Sequence, residues 1–167
     1  SGPSYPAPSA PSIIRPSTDT KRFPFADVAS GDWFYSSVRL AWENRLIDGT
    51  QKDRFSPREP LTVAQAIKLA TALHQLNEDG KVTLENGASF WYSSYVDYAV
   101  AEEIIDAGYA GYTAAQMNAP VSRAEFVHIL YGSMPADSYT ARNSVSDNAI
   151  PDVKTGDAYA AEIYAFY

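Results

Sequence analysis

The sequence predicts an all-α fold of tandem helix-loop-helix repeats, and three observations carry that prediction. Thr62-Val63-Ala64-Gln65 and Ser122-Arg123-Ala124-Glu125 both read as capping boxes. In such a box a hydroxyl and the side chain three residues on each satisfy a backbone N–H that the first helical turn leaves open. Behind each box apolar residues recur at helical spacing: Ile67, Leu69, Ala70, Leu73 and Leu76 after the first, Phe126, Val127, Ile129 and Leu130 after the second. The chain also repeats itself, since Trp33 to Trp91 spans 58 positions and Thr62 to Ser122 spans 60.

A length of 167 residues with 46% hydrophobic side chains suits one ordinary domain with its own core. No run reaches the length of a membrane span and the start does not read as a signal peptide, so a soluble mature segment with no membrane insertion is expected. Cysteine is absent, which removes disulfides and thiolate metal sites and fits an exported protein of a Gram-positive bacterium. The formal net charge of -7 and the pI near 4.7 argue against nucleic acid as partner. An anionic polymer would have to be recognised locally.

Residues 1–22 read as a tether, with Pro3, Pro6, Pro8, Pro11 and Pro16 among Ser and Ala and too few apolar residues for a core. The first repeat takes residues 23–80. Asp32 is expected to cap a helix from Trp33 to about Leu46, with Val38, Ala41, Trp42 and Ile47 on its buried face and Asp48-Gly49 as its stop. Thr62 then opens a helix to about Asn77. The second repeat, residues 81–149, has Trp91-Tyr92 opening a helix that carries Val96, Ala99 and Ile105, with Gly108 near its end, before Ser122 caps the next. A third copy begins within residues 150–167, where Asp152-Val153-Lys154-Thr155-Gly156-Asp157 overlays Asp27-Val28-Ala29-Ser30-Gly31-Asp32 at an offset of 125. It reaches Tyr167, opposite Trp42, and so reads as a truncated repeat. The neighbourhood of Ile67, Leu73, Phe126 and Leu130 is then expected to be bare, and to be covered by a second chain or by a fragment completing the third repeat.

Arg123 is the side chain that points to a ligand. A cation in the first turn of a helix sits against the helix dipole, which favours negative charge there, so the position is a weak choice for stability and a good one for an anion. The reading as an ordinary exposed arginine stands beside it. Trp33 and Trp91 offer either core packing at a helix start or flat apolar faces to solvent. Asp27 and Asp152 suit turn or cap chemistry, and Gly49 is first a helix stop and second a place where a ligand approaches the backbone. An enzyme is disfavoured. His74 and His128, the two histidines, lie on expected helices outside any nucleophile elbow or metal-ligand spacing, and Glu102-Glu103 are adjacent on a helix and point apart. No catalytic residue, metal or cofactor is assigned.

Repeat one, with Phe25-x-Asp27-Val28, Trp33-Phe34, Leu46-Ile47 ahead of Gly49, Phe55-x-Pro57 and the helix start at Thr62, resembles the S-layer homology repeats of bacterial surface proteins. Repeat two keeps Trp91-Tyr92 and Ser122-Arg123-Ala124-Glu125, and lacks the Asp-Val opening and the Phe-x-Pro turn. The resemblance runs from about Phe23 to Tyr167. It implies a pseudo-threefold bundle of central helices with outer prongs, whose grooves bind secondary cell-wall polysaccharide that often carries a pyruvate ketal. The family's arginine falls on Arg123 in repeat two and on Val63 in repeat one, and Ala158 stands in the third copy where the family prefers Trp. An arginine can take a pyruvate carboxylate in two parallel hydrogen bonds, worth roughly 1.5–3 kcal/mol when partly desolvated. The implied role is non-covalent anchoring at the cell wall or cell surface, through Arg123, Trp33, Trp91, Gly49, Asp27 and Asp152. The alternative is an assembly module of a surface layer whose grooves bind protein, for which the 12 Tyr, 7 Phe and 3 Trp speak equally.

Overall fold

Thr62 caps a helix as its sequence requires. In the computed structural model, which describes residues 13–16, 22–139 and 144–166, the Thr62 hydroxyl accepts from the Gln65 N–H at 3.3 Å. The Gln65 side chain returns to the Thr62 N–H at 2.9 Å. The helix this box opens runs Val63–Asp79 and ends on Gly80 in the left-handed conformation (φ 70°). In chain order the helices are α1 Tyr35–Glu43, α2 Val63–Asp79, α3 Ser93–Ala101, α4 Ala114–Met117, α5 Arg123–Tyr131 and α6 Ala160–Ala165, with 3-10 turns at Ala107–Gly111 and Ala136–Ser138. The described residues form no strand and only two isolated bridges, so the all-α expectation holds. Among them no helix is long and apolar enough to cross a membrane.

Helix α2 is the centre of the fold. Val63, Ala64, Ala66, Ile67, Ala70, Thr71, Ala72, Gln75 and Leu76 are all buried, which covers nearly every face of the helix. Alanine at four of these positions lets neighbouring helices come close, and α3, α4 and α5 all pack on it. The two polar members are satisfied: Thr71 donates to the Ile67 carbonyl at 2.8 Å, and Gln75 Oε1 accepts from the Thr83 and Leu84 N–H groups at 2.9 and 3.1 Å. Gln75 thereby pins the segment leading into α3 to the middle of the bundle. The starts of α2 and α5 are tied to each other by an antiparallel bridge, with Val63 N–H donating to Ala119 O at 3.1 Å and Val121 N–H to Leu61 O at 2.9 Å.

The outer helices depart from the expected boundaries. Asp32 does not cap α1; its Oδ2 accepts from Ala29 N–H at 2.8 Å, tightening the turn before the helix, and α1 starts two residues later than expected, at Tyr35, without a side-chain cap. Asp48-Gly49 does not stop it either. Arg45 turns left-handed (φ 60°) and lets Leu46 N–H reach back to Ala41 O at 2.9 Å, which closes the helix at Glu43. The same closure recurs 58 positions on, where Glu103 (φ 56°) lets Ile104 N–H bond Ala99 O at 2.8 Å. Helix α3 thus ends before Ile105 and Gly108, and Gly108 falls in the 3-10 turn.

The opening turn also recurs, 125 positions on. Lys154 N–H bonds Asp157 Oδ2 at 2.7 Å, as Ala29 does Asp32. Asp157 N–H bonds Lys154 O, and Ala160 N–H bonds Asp157 O, as Asp32 bonds Ala29 and Tyr35 bonds Asp32. The face expected to be bare is largely covered within the chain: Ile67 is fully buried in the main core with Phe126 and Leu130 half-buried against it, and Leu73 is half-buried against the Leu46, Ala72, Leu76 and Val82 cluster, while α6 lies against α5. Of the tether, residues 1–12 and 17–21 lie outside the described residues, as does Tyr167; Ile14 and Arg15 are docked on the domain.

Gly49 sits at φ 83°, and a Cβ there would fall on the Phe25 ring and the Arg54 carbonyl. Gly49→Ala is expected to lower stability by roughly 1–3 kcal/mol, read as a shift of the urea midpoint without a change of slope. A midpoint equal to wild type would mean that the loop before Phe55 relaxes without cost.

Candidate functional site

Gly49 and Asp27 belong to one knot at the outer end of repeat one. Asp27 Oδ1 accepts from the Phe55 N–H at 2.9 Å and Oδ2 from the Ser56 N–H at 2.8 Å, while Ala26 N–H reaches Asp53 O at 2.9 Å. The carboxylate therefore clamps the Phe55-x-Pro57 turn against the chain start. The Phe55 N–H, the Ser56 N–H and the Arg54 guanidinium 3.9 Å away hold its carboxyl below the usual carboxylate range, against the burial that opposes ionisation. Phe25, Val28 and Val38 form a small apolar cluster beneath the knot, with Phe23, Phe34, Trp42 and Phe55 packed on it. Asp152, the counterpart of Asp27, is exposed, and its carboxylate makes no hydrogen bond or ion pair among the described residues.

The two tryptophans share a local geometry and differ in setting. Trp33 lies edge-on to Phe34 at 5.5 Å and 88°, and Trp91 to Tyr92 at 5.5 Å and 84°. Trp33 is 92% exposed, so it is a free apolar face and not a core residue. Trp91 is half-buried against the main core, because α2 runs beneath it. There Lys68, a residue that sequence reasoning passes over, places its ammonium 5.7 Å from the Trp91 ring and 4.7 Å from the Tyr95 ring. Lys68 also pairs with Asp48 and donates to Asn86 Oδ1 at 3.3 Å. Arg45 Nη2 bonds Glu85 at 2.7 Å across the same cleft, and its Nη1 bonds the Val82 carbonyl at 3.1 Å. Arg45, Asp48, Lys68, Glu85 and Tyr95 line this cleft, in which two cations face two carboxylates. The helical spacing of Lys68 carries no signal, since only the approach of α3 to α2 brings the two rings to it.

A second charge cluster repeats the plan with different chemistry. Asp106 stands 58 positions after Asp48, and His128 stands 60 after Lys68. His128 Nδ1 donates to Glu162 at 3.1 Å, its buried Nε2 faces Asp106 Oδ2 at 3.6 Å, and its ring stacks on Tyr159 at 4.1 Å. Tyr159 itself sits at φ 63°, a conformation costly for an aromatic residue. His74 bonds the Tyr98 hydroxyl at 3.2 Å, and Glu102-Glu103 lie just past α3 and not on it. Among the described residues no group of His, Asp and Glu is arranged to hold a metal ion.

Arg123 opens α5, exposed, and its guanidinium makes no hydrogen bond or ion pair among the described residues. Ser122 caps the helix by accepting from the Glu125 N–H at 3.1 Å. The return half of the expected box is missing, because Glu125 instead accepts from the Tyr109 hydroxyl at 3.1 Å. The sequence-derived counterpart of Arg123, Val63, is 4% exposed and belongs to the main core. Of the six candidate ligand residues the structure thus joins Asp27 and Gly49 in one knot. Among the described residues no bond or ring contact links Arg123 to Trp33 or Trp91. A third cap, Thr113 with Gln116 ahead of α4, escapes a reading by periodicity, since four residues are too few to show a helical repeat.

Residues 24–67 match the S-layer homology domain, so the resemblance read from repeat one holds over that stretch. The chain is also similar to the surface-layer 125 kDa protein of Lysinibacillus sphaericus, 29% identical over 135 residues. That alignment takes in 78% of this chain and 11% of the relative. No solved structure matches the chain.

Two outcomes follow from this geometry. Asp27→Asn keeps one acceptor and sets an amide N–H₂ against the other backbone donor, so it should cost on the order of 1 kcal/mol near neutral pH. Because the native carboxyl titrates below its unfolded value, the wild-type advantage is present above the usual carboxylate range and disappears as pH falls through the lower, folded-state value. Urea titrations of both proteins from neutral to acid pH check the sign; a gap that widened on acidification would contradict it. Val63→Arg should overpack the start of α2 and cost roughly 1–3 kcal/mol or more, so it cannot serve to add a second binding arginine. A thermal midpoint at or above wild type would show that the side chain escapes to solvent.

Proposed function

With residues 24–67 matching the S-layer homology domain, we propose that this chain is a non-enzymatic anchoring module of the bacterial cell surface, and that it holds an anionic, pyruvylated cell-wall polysaccharide. The observation that carries the glycan reading is the state of Arg123. Its guanidinium is exposed, without a partner among the described residues, and carried on the first turn of a capped helix, where it can take a carboxylate in two parallel bonds. Lys68 is already neutralised by Asp48, so a ligand carboxylate there would have to displace a bound one. The net charge of -7 gives no general attraction to an anionic polymer, so recognition rests on such local cations. Trp33, almost wholly exposed, supplies an apolar face for the C–H side of a sugar ring. Asp27 and Gly49 act through the fold, by holding the knot below Trp33. The turn repeated at residues 150–160 supports reading that segment as the opening of a third repeat, as a pseudo-threefold bundle would require.

Purified cell-wall sacculi, with and without their polysaccharide, provide the test. Wild type should sediment with intact sacculi and stay in solution once the polysaccharide is removed. Arg123→Ala should weaken binding about 10- to 100-fold, the equivalent of one charge-assisted pair, with its circular dichroism unchanged. Lys68→Ala should weaken it less. Binding that survives removal of the polysaccharide would favour a protein partner, and an Arg123→Ala variant that binds like wild type would remove the arginine from the site.

A further inference from the structure

The segment Ile13-Ile14-Arg15-Pro16 precedes the first repeat and meets it in space, with Arg15 bonded to Asn44, 29 positions on. Ile14 packs on a second apolar cluster, separate from the main core, whose buried members are Leu46, Ala72, Leu76 and Val82. Next to it a single side chain satisfies both backbone groups of Arg15: Asn44 Oδ1 accepts from the Arg15 N–H at 3.3 Å, and Asn44 Nδ2 donates to the Arg15 carbonyl at 2.8 Å. These are the two bonds that a neighbouring strand would make to one residue. Asn44 is itself fixed, since its Nδ2 also donates to the Leu40 carbonyl at 2.8 Å, at the C-terminal end of α1. Pro16 biases Arg15 toward the extended conformation in which its N–H and C=O can meet one partner.

Nothing in local sequence requires this arrangement. The corresponding position of repeat two, 58 residues on, is Glu102, whose carboxylate cannot donate to a carbonyl, so repeat two lacks the device. Ala72 and Val82 contribute to the cluster under Ile14 and also line the cleft of Lys68 and Arg45.

We propose that Asn44 and the Leu46–Ala72–Leu76–Val82 cluster form an acceptor groove for a short extended Ile-Arg-Pro segment, occupied by this chain's own residues 13–16, which clips the proline-rich stretch to the domain. The groove reads its occupant by two rules: an apolar side chain in the cluster, and a backbone pair on Asn44. The proposal is independent of any glycan.

Amide hydrogen exchange on the full chain tests the clip. The Arg15 amide should be protected in wild type, and Asn44→Ala should speed its exchange at least about tenfold, toward the rate of an unstructured peptide. Asn44→Asp, which still accepts from the N–H and can no longer donate to the carbonyl, should fall between the two. Ile14→Ser should release the segment and shift the methyl resonances of Val82 and Ala72. A peptide of the sequence of residues 9–18, added in trans to that variant, should return those resonances toward their wild-type positions in a saturable way. The same peptide should have no effect on Ile14→Ser combined with Asn44→Ala. An Arg15 amide that exchanges freely in wild type, or one that is indifferent to Asn44→Ala, would overturn the clip. Failure of the peptide to bind the folded Ile14→Ser variant would overturn the groove.

Discussion

Helix α2 has no solvent face over most of its length, and the rest of the molecule is arranged by that fact. A helix buried all round must be flanked by other elements on every side, and must settle each polar group it carries from within. Its alanines make room for α3, α4 and α5, while Thr71 turns back on its own backbone and Gln75 spends its amide on residues 83 and 84. The Gln75 bonds matter most for topology, because they fix where the chain passes on its way to α3. The bridge between Thr62 and Pro120 then sets the start of α5 beside the start of α2. With those two ties in place, the clefts between helices are already shaped.

Equivalent residues of the repeats make the same local bonds in different surroundings. The left-handed residue that closes α1 is an arginine and the one that closes α3 is a glutamate, yet both give the same backbone return. In one cluster an aspartate faces a lysine set over aromatic rings; in the other, an aspartate faces a histidine stacked on Tyr159. The backbone plan is therefore kept from repeat to repeat while the charge that it presents is not. The two charge clusters are chemically distinct, and Arg123, at a helix start, lies outside both of them.

That division clarifies what the residues typical of repeat one do. Asp27, Phe55 and Gly49 hold one another, and the glycine is needed because both its φ and its neighbours forbid a side chain. Trp33 stands on the turn next to them with its ring in solvent. An exposed tryptophan is a large apolar surface to leave uncovered, and under the proposed function it is the face offered to a sugar ring.

Much of the fold is legible in the sequence because helix starts and helix faces are local. The hydroxyls at Thr62 and Ser122 cap the helices that their spacing assigns to them, and the apolar periodicity behind them marks α2 and α5. The ends of α1 and α3 are not legible: Gly49 and Gly108 read as stops, whereas left-handed Arg45 and Glu103 close the helices, as no preference of those side chains would suggest. Arg123 stands out as a candidate by its conflict with the helix dipole, a sequence-level signal. Its lack of a partner among the described residues, the burial of Val63 at the matching position, and the exposure of Trp33 against the covering of Trp91 are all decided by tertiary packing. The reason is physical. Capping and periodicity act within one or two turns of chain, but whether a side chain meets water, a carboxylate or a ring depends on which distant element is pressed against it.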